Sequence, residues 1–176
     1  LMLGGYSSSL IGDRLTTDFT FYSKPESIQG QNLLEDHFGT QALTETIVIQ
    51  SDALTVDDPG FQTVVQNAMT ALRGMPDLVN TAPDQTFSYL DLNQSSDPAI
   101  QAQAARMVSQ DRHSTIIQMT TTSEELPDTE LTDAYMAAMQ AASTDQVRVL
   151  PVGAISISET FSSVSEEDLR IGEGIG

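Results

Sequence analysis

Apolar and polar residues fall into distinct rhythms along the chain, and each rhythm predicts an element. Ser23-Lys24-Pro25-Glu26 reads as a helix start, with a capping serine and proline in the first turn. That helix carries Ile28, Leu33, Leu34 and Phe38 and stops at Gly39, with Gly30 as an interruption. Glu45 to Ser51, ETIVIQS, is short, β-branched and apolar on successive residues, which predicts a strand buried on both faces. Asp57-Asp58-Pro59-Gly60 then caps a second helix. Its apolar positions Phe61, Val64, Val65, Ala68 and Leu72 recur at helical spacing until Gly74 and Pro76 end it. Leu78 to Leu90 reads as extended, with Phe87 and Tyr89 alternating, and Asp91 to Ala99 as a loop. Met107 to Ser109, a polar turn at Gln110 to His113, and STIIQMT predict a β-hairpin. Asp128-Thr129-Glu130 starts a helix with Leu131, Tyr135, Ala138, Met139 and Ala142 on one face. Gln146 to Val152 is a last strand with Pro151 at an edge or bulge, and Ile155 to Gly176 heads into a helical arm.

The middle of this order matches a split βαβ unit, with two amphipathic helices over one face of a small sheet. The expected fold class is α+β: a ferredoxin-like βαββαβ core with additional N- and C-terminal helical arms. The expected boundaries are an N-terminal arm at 1–22, an α+β domain at 23–154 and a C-terminal helical arm at 155–176. No internal repeat or low-complexity tract interrupts this plan.

The 176 residues suffice for a core without disulfide or metal staples. Charge changes the picture more: 25 acidic residues face 7 basic ones, for a formal net charge of -18. Such a chain repels a phosphate backbone, so no nucleic-acid partner is expected. An anionic membrane surface would repel it as well. An acidic surface whose only lysine is Lys24 suits plain solubility and also a salt-rich environment. The absence of cysteine removes disulfides, thiol nucleophiles and thiolate metal sites. No apolar run approaches the length needed to span a bilayer, and no signal-peptide pattern opens the chain. Both ends read as cut from a longer polypeptide.

Candidate chemistry is sparse, and no catalytic residue, cofactor site or metal site is expected. His37 and His113 have no histidine partner at metal-ligand spacing. No Gly-x-Ser-x-Gly elbow occurs, and Asp111, His113 and Ser114 form a turn composition, whereas a catalytic triad gathers distant residues. DLNQSSD, Asp91 to Asp97, opens with the rhythm of a calcium loop but has Ser96 and Ala102 where that loop needs glycine and glutamate. Glu124-Glu125 and Glu166-Glu167 are sequence neighbours, which point apart on a helix and make no acid–base pair.

The closing stretch, SEEDLRIGEGIG, is the most informative. Ser165 with Asp168 is a capping box, yet Gly172, Gly174 and Gly176 weaken a helix in water by about 1 kcal/mol each. In a membrane helix glycine is common, and Gly172 and Gly176 have small-xxx-small spacing. This stretch resembles the junction before the second transmembrane helix in MMPL transporters of the RND superfamily. SKPESIQGQNLLEDHFG, IVIQSDALTVDDPGFQTVVQNAMTALRGMP, RMVSQDRHSTIIQM and VRVLPVGAISISETFSSVSEEDL resemble, in order, further segments of the same loop. The hairpin of that family usually reads Val-Ser-x-Asp-Gly; here Arg112 stands in place of the glycine.

The resemblance implies the first extracytoplasmic loop of such a transporter, folded as a porter-type domain on the outer face of the cell membrane. It implies no enzymatic activity. Its partners would be the transmembrane helices and the second porter domain of the same protein, and its cargo a hydrophobic or lipid-like substrate moved by proton-motive force. Asp168, Arg170 and Glu173 would lie nearest the bilayer, with Arg170 pairing an acid there. Two rival expectations are a secreted or membrane-tethered α+β binding module and an acid-rich hydrolase.

Overall fold

A computed structural model describes residues 42–161. Their elements run β1 (Thr44–Gln50), α1 (Pro59–Arg73), β2 (Phe87–Ser88), α2 (Tyr89–Leu92), α3 (Pro98–Arg106), β3 (Ser114–Thr120), α4 (Thr129–Ala142) and β4 (Arg148–Gly153). A further helix, α5, occupies 154–161. The fold is α+β, with a four-stranded antiparallel sheet in the order β2-β3-β1-β4.

β-Branched residues favour the extended backbone of β1, and its side chains alternate between two environments. Glu45, Ile47 and Ile49 are fully buried, whereas Thr46, Val48 and Gln50 are half-buried. The expectation of a strand buried on both faces is therefore corrected. The helices α1 and α4 supply cover to one face, so alternation decides which residues are enclosed. Ile117 and Thr115 of β3 and Val149 of β4 stand opposite Ile47 and Ile49 and extend the inner layer. Phe61, Val64, Val65, Ala68, Met69 and Leu72 of α1 close over it, with Tyr135 and Met139 of α4.

Both long helices start where the sequence marks them. Asp58 is the N-cap of α1 with Pro59 in the first turn, and Asp128 caps α4 by accepting from the Leu131 amide at 2.9 Å. The middle of the chain departs from expectation. Leu78 to Leu90 contributes an isolated bridge, Val79 to Thr121, and a two-residue strand at Phe87–Ser88. Tyr89 instead begins α2, because Ser88 and Asp91 form a reciprocal capping box. The expected loop at Asp91 to Ala99 contains the end of α2 and the start of α3, where Asp97 accepts from the Ala99 amide at 2.8 Å ahead of Pro98. The expected hairpin shrinks to the Val108–Thr115 bridge, and the longer partner of β3 is β1.

The edge strand β4 offers no free amide on its outer side at Val149, Pro151 or Gly153. Its amides at Val149 and Gly153 donate to the hydroxyls of Ser143 and Ser156, at 3.0 and 2.8 Å. Pro151 lies on the same side by alternation and has no N–H to offer. Proline thus occupies an edge, as its chemistry requires, opposite Ile47.

Candidate functional site

The residues singled out from sequence as membrane-proximal, Asp168, Arg170 and Glu173, lie outside the described residues, as do His37, the Ser23–Gly39 helix and the Ser165 capping box. Within 42–161, chemistry-bearing groups gather at three places.

The first is the base of α5, where β4 passes through Gly153 into the helix. Glu45, at 0% exposure, reaches this base from β1. Its Oε1 accepts the Ile155 amide at 2.6 Å and the Ser156 amide at 3.4 Å. Its Oε2 accepts the Ser156 hydroxyl at 3.1 Å and lies 3.5 Å from the Tyr135 hydroxyl of α4. The amides are among those a helix leaves unpaired at its N-terminus, where the helix dipole also favours negative charge. Burial, with the neighbouring Glu45 charge and hydrogen bond, raises the pKa of Tyr135 far above the ordinary phenol range. Sequence reasoning passed over Glu45. The available signal was its register: an acid at the inward period-2 position of ETIVI, in line with Ile47 and Ile49.

The second place is the turn before β3. Arg112 has a φ of 62°, the left-handed region that glycine enters without strain. Its guanidinium binds Asp57 through two bonds of 2.9 and 2.6 Å, which hold the Asp57 carboxyl below the ordinary range. Its carbonyl accepts the Val56 amide at 2.9 Å. The turn thus keeps a glycine-type backbone while carrying an arginine. Asp111 accepts from the Ser109 hydroxyl at 2.6 Å and the His113 amide at 3.1 Å, and both interactions lower its pKa. The His113 ring turns away from Ser114: Nδ1 lies 2.8 Å from the Leu54 carbonyl and carries the proton there. Asp111, His113 and Ser114 therefore build a turn, without a serine–imidazole pair.

The third place is a groove of about 540 Å³ beside β2, lined by Pro83, Phe87, Leu92 and Ile100, with Asp84 and Asp91 among its polar residues. Burial raises the pKa of Asp91, but bonds from Ser88 and Arg73 outweigh it and leave the carboxyl lowered. Asp91 and Asp97, the acids of the calcium-like stretch, are both engaged in helix capping. Among the described residues no group of three or more histidine or acidic side chains is placed to hold a metal ion. No helix among them is long and apolar enough to cross a membrane.

No protein-family model matches the sequence, and no curated protein matches it significantly.

Proposed function

We propose that this chain is an extracytoplasmic porter-type domain of a proton-motive-force-driven transporter of the MMPL branch of the RND superfamily, exporting hydrophobic or lipid-like substrates. In this reading the sheet is a ferredoxin-like split βαβ core, a description supported by the strand order β2-β3-β1-β4 and by α1 and α4 over one face. Helices α2 and α3 are then an insertion between β2 and β3. The domain has no catalytic role of its own. Its work is mechanical: to form part of a wall and to pass motion through its terminal arms.

One observation carries the reading. Glu45 near the start of β1 pairs with Gly153 at the end of β4, so the chain enters and leaves the sheet side by side. A lobe inserted between two consecutive membrane helices needs such adjacency. The order of segments that resemble the family, ending in SEEDLRIGEGIG, supports it independently.

Topology in the parent polypeptide tests the proposal. A single reporter thiol at the exposed Asp133, in a cysteine-free background, should react with a membrane-impermeant maleimide added outside intact cells. The parent should sediment with membranes. A thiol reached only after cell lysis overturns the reading. The groove beside β2 favours a second reading, a stand-alone α+β binding module; its parent would stay in the soluble fraction or hold to the membrane by one tether.

A further inference from the structure

The carboxylate of Glu45 is enclosed, and every hydrogen-bond donor around it is neutral: two backbone amides, the Ser156 hydroxyl and the Tyr135 hydroxyl. A buried charge needs compensation, and here two of the donors belong to the N-terminus of α5. Glu45 acts as the capping group of a distant helix, whose Ile155 amide lies 110 residues later in the chain. A helix ordinarily takes its cap from a residue beside it in sequence. Supplying the cap from β1 ties the direction of the helix to the sheet.

Gly153 belongs to the same device. A Cβ at this position would lie 2.5 Å from Glu45 Oε1 and 2.8 Å from the Thr44 carbonyl. Glycine is what lets the carboxylate sit against the strand and face the helix base. Ser156 completes the joint, since its hydroxyl takes the Gly153 amide at 2.8 Å while donating to Glu45. At the joint Ile155 is buried at 1% exposure, whereas Ile157, two residues on, is 63% exposed. Among the described residues of α5, burial is concentrated in its first turn, at Ile155 and Ser156.

We infer that Glu45, Gly153 and Ser156 form a latch that fixes the direction of α5 relative to the sheet, and that releasing it frees the first turn of α5 without unfolding the core. The two-state element is the base of α5, docked on the carboxylate or swung about the Gly153–Ala154 link. Hinges of this type are a few residues at the end of an element, and local opening below the global unfolding energy is how such segments move. The inference goes beyond the transporter reading and stands or falls separately from it. Within that reading, the latch sets how stiffly the sheet is coupled to the C-terminal arm.

Amide hydrogen exchange on the full 176-residue chain tests the latch with two variants that attack it differently. Glu45→Gln keeps the side-chain shape and removes the charge. Gly153→Ala keeps the carboxylate but crowds it, together with the Thr44 carbonyl. In each, amides at 155–158 should exchange at least 10-fold faster, while those of Ile47, Ile117 and Met139 stay within about 3-fold of wild type. Spin labels at Ile157→Cys and Asp133→Cys, placed in a chain with no native cysteine, should show a broadened distance distribution in the same variants. Acceleration spread evenly over β1, β3 and α4 makes Glu45 an ordinary part of the core and overturns the inference. Unchanged exchange at 155–158 in both variants overturns it as well, and a variant that does not fold counts with the even outcome.

Discussion

The two faces of the sheet are made by the same strands and live under different rules. On the inner face, Ile47, Ile49 and Ile117 are wholly enclosed beneath α1 and α4. On the outer face, Val48 sits between Ile116 and Leu150, and Thr46 between Gln118 and Val152. Leu150 and Val152 remain 43% and 51% exposed. Shifting by one residue along β1 therefore changes what a side chain does, from filling a core to lining a surface. The one charged residue on the covered side, Glu45, is paired with donors to its full reach, while polar residues on the open side need no such partners. The lesson is that position along the pleat, more than residue type, sets the energetic weight of each residue here.

The sharpest way to break this comparison is to truncate neighbours. Ile47→Ala removes most of a side chain in the densest layer and should destabilise the fold by about 2–5 kcal/mol. Val48→Thr, one residue away and half-buried, should cost no more than about 1 kcal/mol. Urea unfolding at constant m-value measures both. Equal losses would mean that the outer face is as enclosed as the inner.

Titration sharpens the comparison from another side, because enclosed tyrosines respond to alkali. Burial first, and the Asp57 charge second, push Tyr89 from 10.0 up to about 12. Its hydroxyl donates to the Val56 carbonyl at 2.6 Å, which an ionised phenol could not do. Burial, then the Glu45 charge, raise Tyr135 as well. Above pH 10 the unfolded chain loses these protons before the folded one, so stability should fall as pH climbs from about 10 to 12. At the acid end, Asp57, Asp58, Asp91 and Asp111 are all lowered from 3.8. Their contribution is present above that value and is lost as pH falls through their folded pKa values. Thermal unfolding across the pH range checks both limbs. In Tyr89→Phe the alkaline limb should be shallower and the acid limb unchanged.

Helices and strands with a full period were legible from residues alone. The Asp-Pro start and 3.6-residue spacing of α1 fixed its extent, and the Asp128 cap did the same for α4. Pro151, lacking a donor, pointed to an edge or a bulge, and it stands on the edge strand. What escaped was local and short. The Asp97-Pro98 start of α3 repeats the Asp58-Pro59 signal of α1, but α3 has only Ala104 fully buried, so no strong apolar stripe announced it. The capping box that turns Tyr89 into a helix start overrides the alternation of Phe87 and Tyr89. Glu45 was overlooked for a different reason. Its partners at 135 and 153–156 are distant in sequence, and only the fold brings them together.

The turn at Arg112 supplies the smallest expected effect and the finest test of how the exposed side is governed. Two influences meet there. The left-handed backbone penalises any residue with a Cβ, and glycine would escape that penalty. Against it stands the two-bond pairing with Asp57, whose side chains are 51% and 67% exposed, where solvent and salt screen the attraction. If backbone geometry governs, Arg112→Gly should unfold at the same urea midpoint as wild type or slightly above it. Arg112→Ala, which loses the ion pair and keeps the strain, should fall below both. If the ion pair governs, Gly and Ala variants should fall together, and Asp57→Ala should match them. Repeating the series in high salt separates the two, since screening weakens the pair and leaves φ untouched. The expected order is Gly at or above wild type, wild type above Ala, with the gap between Gly and Ala unchanged by salt. An Ala variant as stable as the Gly variant would show that this turn tolerates its left-handed residue without cost, and the open side of the fold would then be even more permissive than the two sheet faces suggest.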